Sequence, residues 1–95
     1  MFDRLEVINA RYHQISELMT DMSVISDIKK LTALSKEQKS LEKIVLKYNE
    51  YKAAVEAIAE YKSLLNDDDK ELREMAELEI ETNTALKETL EEEIK

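Results

Sequence analysis

An all-α fold, an elongated three-helix antiparallel bundle with a long central helix, is what this 95-residue sequence predicts. Three observations lead there. Glycine and proline are both absent. Those residues supply positive φ, tight turns and helix breaks, so a chain without them suits long helices and short connections, and suits hairpins or phosphate loops badly. Apolar residues recur at steps of three and four along most of the chain, the spacing of one helix face. The composition, 43% hydrophobic and 38% charged with five aromatics (Phe2, Tyr12, Tyr48, Tyr51, Tyr61), fits amphipathic rods around a modest core. The length allows one small core and not two.

The first helix, at about residues 2–20, places Phe2, Leu5, Ile8, Tyr12, Ile15, Leu18 and Met19 on one stripe. It should end near Thr20-Asp21, where Asp21, Ser23 and Ser26 form a loop, with Ser26 or Asp27 as the N-cap of the second helix. That second helix, at about residues 27–65, carries Ile28, Leu31, Leu34, Leu41, Ile44, Val45, Tyr48, Tyr51, Val55, Ile58 and Leu65 on one drifting face. Leu41, Tyr48 and Val55 recur every seven residues, as do Ile44, Tyr51, Ile58 and Leu65, a pair of heptads suited to near-antiparallel packing. Ser35-Lys36-Glu37-Gln38 matches a capping box, but the apolar phase runs through it, so one continuous helix of roughly 60 Å is expected.

The third helix, at about residues 69–93, comes after Asn66-Asp67-Asp68-Asp69, and Asp68 with Glu71 has the capping-box spacing. Its stripe of Leu72, Met75, Ala76, Glu79, Leu86, Leu90 and Ile94 is poorer, with Thr82-Asn83 as a weak middle. Its last two turns are expected to fray. Connections of about six and about four residues make sequential helices antiparallel neighbours.

Charge is uneven along the chain. Residues 23–52 hold seven lysines against four acids, whereas residues 66–95 hold four basic and twelve acidic groups. The C-terminal third therefore repels phosphate, while the middle can approach an anionic surface. With no cysteine there is no disulfide, thiolate metal site or cysteine nucleophile. No run approaches the roughly 20 apolar residues of a membrane span. The N-terminus reads as an amphipathic helix rather than a leader, and a cytoplasmic location with no membrane partner is expected.

Little here suggests catalysis. His13, the single histidine, lies beside Tyr12 without a partner set, as a surface helix residue does. Asp67, Asp68 and Asp69 lack the alternation, central glycine and distant glutamate of a calcium loop, and read as caps. Neither a metal nor another cofactor is expected. Glu56 with Lys52 is one of the exposed i,i+4 pairs common on helices. Lys36, Lys39, Lys43 and Lys47, in the same basic region as Lys29 and Lys30, share one side of the second helix. Two readings of them stand: a solvated face or charge pairing with the acidic third helix, and a contact patch for an acidic partner or RNA.

Several short words add a resemblance. Met1-Phe2-Asp3-Arg4-Leu5-Glu6-Val7-Ile8, with Arg11-Tyr12 beyond, is succeeded in order by Val24-Ile25-Ser26-Asp27, Leu34-Ser35-Lys36-Glu37-Gln38, Tyr48-Asn49-Glu50-Tyr51-Lys52 and Leu72-Arg73-Glu74-Met75-Ala76. In this the sequence resembles the N-terminal domain of the bacterial peptide chain release factor 1 family, over essentially its whole length. One departure is Asp21-Met22-Ser23 where that family usually has Asp-Pro-Glu or similar, so the exit of the first helix lacks a proline's fixed φ.

The resemblance implies roughly the first quarter of a larger factor that reads UAA or UAG through Pro-x-Thr and triggers peptidyl-tRNA hydrolysis through Gly-Gly-Gln. A sequence without glycine or proline holds neither motif, so no catalytic or codon-reading residue carries over and the chain itself is expected not to be an enzyme. What the resemblance leaves is a non-catalytic helical domain of a translation termination factor. Its implied partners are the ribosome, at stalk-base proteins and rRNA, and the recycling GTPase, and the spacing and charge of the second helix, apart from the resemblance, make Lys36, Lys39, Lys43 and Lys47 the candidate ribosome-contact residues. The alternative is a self-associating coiled-coil module, a homodimer that buries the leftover apolar surface of the third helix. A tRNA-binding helical arm is disfavoured by the acidic balance.

Overall fold

The computed structural model describes residues 2–94, and within them the chain is all-α. Four helices occur in order: α1 (Asp3–Leu18), α2 (Met22–Ile25), α3 (Ile28–Lys62) and α4 (Lys70–Ile94). They fall into two compact units, Met1–Leu46 and Lys47–Lys95. Helix α3, 35 residues and about 52 Å long, contributes to both. It passes through Ser35 without a break, as the apolar phase predicts, and its N-terminus is capped at Asp27, whose Oδ1 accepts the Lys30 amide at 3.2 Å.

In the first unit, every member of the α1 stripe from Phe2 to Met19 is buried or half-buried, with Ile15 wholly enclosed and Leu5 nearly so. Ile15 in that position contributes about 2–3 kcal/mol of transfer free energy. Two side-chain links tie α1 to α3. Gln38 Nε2 donates to Ser16 Oγ at 2.8 Å, and Arg11 forks onto Glu37. Helix α1 ends at Leu18, about two residues before the expected stop, where the Thr20 hydroxyl donates to the Glu17 carbonyl at 2.7 Å. The loop beyond it holds one helical turn, α2, that apolar spacing does not reveal. Asp21 makes that turn. Its Oδ1 accepts both the amide and the hydroxyl of Ser23 at 2.8 Å, replacing the constraint that a proline at Met22 would supply. The same two bonds, the hydroxyl first, hold the Asp21 carboxyl below its ordinary value. Ile28, expected on the core stripe, is instead 78% exposed at the first position of α3.

In the second unit, the end of α3 and α4 form a helical hairpin in which Tyr48, Ala54, Ala76 and Leu90 are buried. Here the expected α4 stripe holds only in part: Ala76, Glu79, Leu90 and Ile94 are buried or half-buried. Leu72, Met75 and Leu86 are exposed, and the buried or half-buried line is Arg73, Ala76, Ile80, Asn83, Lys87, Leu90 and Ile94. That line keeps the alternating three- and four-residue step of a coiled-coil seam. Ala76, without side chain beyond Cβ, permits close approach, and the polar members satisfy themselves locally. Asn83 Nδ2 donates to the Glu79 carbonyl at 2.8 Å, and Arg73 Nη1 donates back to the carbonyls of Asp67 and Asp68 at 2.6 and 3.2 Å. The cap of α4 is Asp69 and not Asp68: its Oδ1 accepts the Glu71 amide at 2.9 Å, while Asp67 Oδ1 accepts the Asp69 amide. Helix α4 continues to Ile94, with Leu90 buried and Tyr51 Oη donating to Glu91 Oε1 at 3.3 Å.

Candidate functional site

Lys36, Lys39 and Lys43 are exposed on one side of α3. Successive steps of three and four residues along a 3.6-residue helix keep them within about 60° of one another. None forms an ion pair among the described residues. Their sequence neighbour Glu37 points away to α1, where Arg11 Nε and Nη2 donate to its two carboxylate oxygens at 2.6 and 2.8 Å. Arg11 Nη1 also donates to Gln14 Oε1 at 2.8 Å, which fixes the plane of the fork. The hydrogen bonding between Arg11 and Glu37, before any through-space effect, lowers the Glu37 carboxyl and raises the Arg11 guanidinium. Glu37 is thereby neutralised by α1, so the carboxylate left beside the three lysines is that of the exposed Glu42, next to Lys39.

Lys47, the fourth expected contact, is placed differently. It is half-buried in the second unit, and its ammonium is paired with Glu93 near the end of α4. Of the two readings of the lysines, charge pairing with the acidic helix thus describes Lys47 alone. Lys29 was legible as an addition, being seven and fourteen residues before Lys36 and Lys43 and equally exposed. Arg11, the residue that removes Glu37 from the stripe, carries no sequence signal, because a pair 26 residues apart depends on how α1 docks.

His13 is exposed, its ring edge-on to Tyr12 at 5.9 Å. No group of three or more metal-binding side chains occurs among the described residues, and the carboxylates of Asp67 and Asp69 are used on backbone amides. No helix is long and apolar enough to cross a membrane among the described residues.

A family model, that of the PCRF domain, matches residues 8–95. The chain belongs to the PCRF domain family. Over the full length of this chain, Peptide chain release factor 1 of Brevibacillus brevis is 45% identical across 96 residues, which is 27% of that protein. The protein of the same name in Geobacillus kaustophilus is 46% identical over 96 residues, again the whole chain and 27% of the relative. That of Campylobacter jejuni strain RM1221 is 47% identical over 92 residues, 97% of the chain and 25% of the relative. The chain therefore spans about a quarter of the length of those relatives. No solved structure gives a significant match.

Proposed function

We propose that this PCRF domain is the non-catalytic, ribosome-contacting part of a cytoplasmic translation termination factor, with Lys36, Lys39 and Lys43 as its contact residues and Lys47 holding the fold beside them. The observation that carries this reading is a row of three exposed, unpaired ammoniums in a chain about 45% identical over its length to release factors. Such a row neutralises phosphates and displaces their counterions. The chain holds no glycine or proline, so the hydrolytic and codon-reading motifs of the intact factor lie elsewhere in it. Contact is at the ribosomal stalk base: the lysine row approaches rRNA, and the carboxylates of α4 meet basic proteins or the recycling GTPase.

The test is charge reversal of Lys36, Lys39 and Lys43 together in the intact factor. We expect ribosome affinity to fall at least about tenfold, and its salt slope to drop by about one for each phosphate that is no longer neutralised. Unchanged binding would overturn the assignment. A second reading, self-association as a coiled-coil module, is favoured only by the exposure of Leu72, Met75 and Leu86 along α4. Sedimentation of the 95-residue chain as a monomer at high concentration would eliminate it.

A further inference from the structure

One side of α3 carries a stripe at alternating steps of four and three: Leu41, Val45, Tyr48, then Val55, Ala59 and Lys62. Along its earlier part the stripe is covered, with Val45 and Tyr48 buried. From Val55, which is 40% exposed, the cover ends, although the helix and its apolar spacing continue. There the second unit has an open groove of about 270 Å³ lined by Val55, Ile58, Ala59 and Lys62 of α3 and by Lys87 of α4.

The contents of the groove narrow what fits it. At about 270 Å³ it is smaller than the roughly 300–1,000 Å³ of small-molecule sites, and has room for one or two side chains. Its lining offers aliphatic carbon and no aromatic face on which a base could stack. Its charged lining is cationic. Lys62 has no ion-pair partner among the described residues, and Lys87 meets Glu91 only at 3.7 Å. One turn before Val55, the Lys52 ammonium lies over the Tyr48 ring at 5.1 Å. Of the exposed carboxylates on this part of α3, Glu60 lies about 100° round the helix from Ala59, while Glu56 lies only about 60° from Ala59, on the side away from Lys62, from which it is about 120°.

We propose that the groove between α3 and α4 docks a helical segment of a partner protein that presents an apolar side chain flanked by carboxylates. The apolar side chain continues the covered seam of α3 over Val55 and Ala59, and the carboxylates meet Lys62 and Lys87. Helix-in-groove recognition of this kind uses anchors at i, i+3 and i+4. A long polyanion meets a different field. Residues 66–95 hold twelve acidic against four basic groups, and a nucleic acid lying along α4 encounters them all. A segment with one or two carboxylates needs only the local lysines, because more distant charges are screened beyond about 8 Å at physiological salt.

This site is separate from the Lys36, Lys39 and Lys43 row, so its failure leaves the ribosome reading standing. The experiment is an NMR titration of the complete 95-residue chain with a synthetic amphipathic peptide of roughly five turns, leucines on one face and glutamates elsewhere. A peptide with lysines replacing the glutamates, and a short RNA duplex, are run in parallel. The expected result is a set of shift changes centred on Val55, Ile58 and Ala59 that saturates with the acidic peptide alone. The pair Lys62→Glu and Lys87→Glu should weaken it at least about tenfold. Ala59→Gln, which fills the groove without altering charge, should weaken it similarly and covers the case in which the double variant loses structure. The proposal is overturned by no shifts up to about 1 mM peptide, by shifts centred elsewhere, or by equal binding of the lysine peptide. Stronger binding of the duplex, or the same shifts appearing on concentrating the protein alone, overturns it too.

Discussion

Arg11 and Glu37, 26 positions apart, meet as a planar fork on a carboxylate, Nε to Oε2 at 2.6 Å and Nη2 to Oε1 at 2.8 Å. This is the most specific polar link between α1 and α3, and it has a pH signature. The arginine's hydrogen bond lowers the folded-state value of Glu37 below its ordinary value of 4.5. A carboxyl lowered on folding contributes stability that is complete above its unfolded value and is lost as pH falls through its folded value. Asp21 is lowered by Ser23 and acts in the same sense. Thermal unfolding measured from neutral pH into the acid range should therefore show Glu37→Gln to be less stable than the parent at neutrality. The two should converge as the parent's carboxylate protonates. Curves that stay parallel would show that the fork does not operate in solution. Arg11→Lys should lose most of the effect, since an ammonium cannot make both bonds.

The three consecutive aspartates before α4 make an equally sharp contrast. Asp69 accepts the Glu71 amide, whereas the Asp68 side chain has no such bond. Asp69→Ala should cost about 1 kcal/mol, the usual loss for an N-cap, and Asp68→Ala should fall within about 0.5 kcal/mol of the parent. Chemical denaturation of the two variants settles it. The reverse ranking would restore the capping box read from sequence.

These aspartates also show where sequence reading stops. The all-α class, the unbroken α3 and the inward face of α1 follow from missing helix breakers and repeated apolar spacing, which are local properties. The α4 seam was legible only at Ala76, Leu90 and Ile94, because it also includes Arg73, Asn83 and Lys87, and a search for apolar residues steps around them to Leu72, Met75 and Leu86. Long polar side chains can lie along a seam on their aliphatic stems, so polarity alone does not mark a solvent face. Helix α2 was missed for another reason: four residues hold no period, and the turn depends on the hydrogen bonds of Asp21. Within the lysine row, spacing placed four cations on one side of α3 but could not tell which were free. That depends on Glu93 and Arg11, which reach α3 from other helices.

Which leucines of α4 face inward can be measured by truncation. Leu90 is 3% exposed and Leu78 63%, although both are leucines on the same helix. Leu90→Ala should lose about 2–5 kcal/mol through transfer and cavity terms, and Leu78→Ala no more than about 0.5. Leu86→Ala is the discriminating case, because the sequence-derived stripe puts it in the core and the structure leaves it 43% exposed. We expect it to lose less than half of what Leu90→Ala does. Equal losses at the two positions would return α4 to the register read from sequence.

Lys43 and Lys47, one turn apart on α3, should separate binding from folding. Lys43 is exposed and unpaired, while Lys47 is half-buried with its ammonium on Glu93. An ammonium already neutralised by a carboxylate has little field left for a phosphate, and recruiting it would strand Glu93. Lys43→Ala in the intact factor should weaken ribosome binding and flatten its salt dependence, with thermal stability unchanged. Lys47→Ala should do the opposite, leaving affinity within about twofold and lowering stability by up to about 1 kcal/mol, the range of a surface ion pair. Both effects are read from the same two variants, by ribosome binding across a salt series and by chemical denaturation. If Lys47→Ala proved the more damaging to binding, its pairing with Glu93 would have to open on the ribosome, and the contact row would shift by a turn toward the C-terminus of α3.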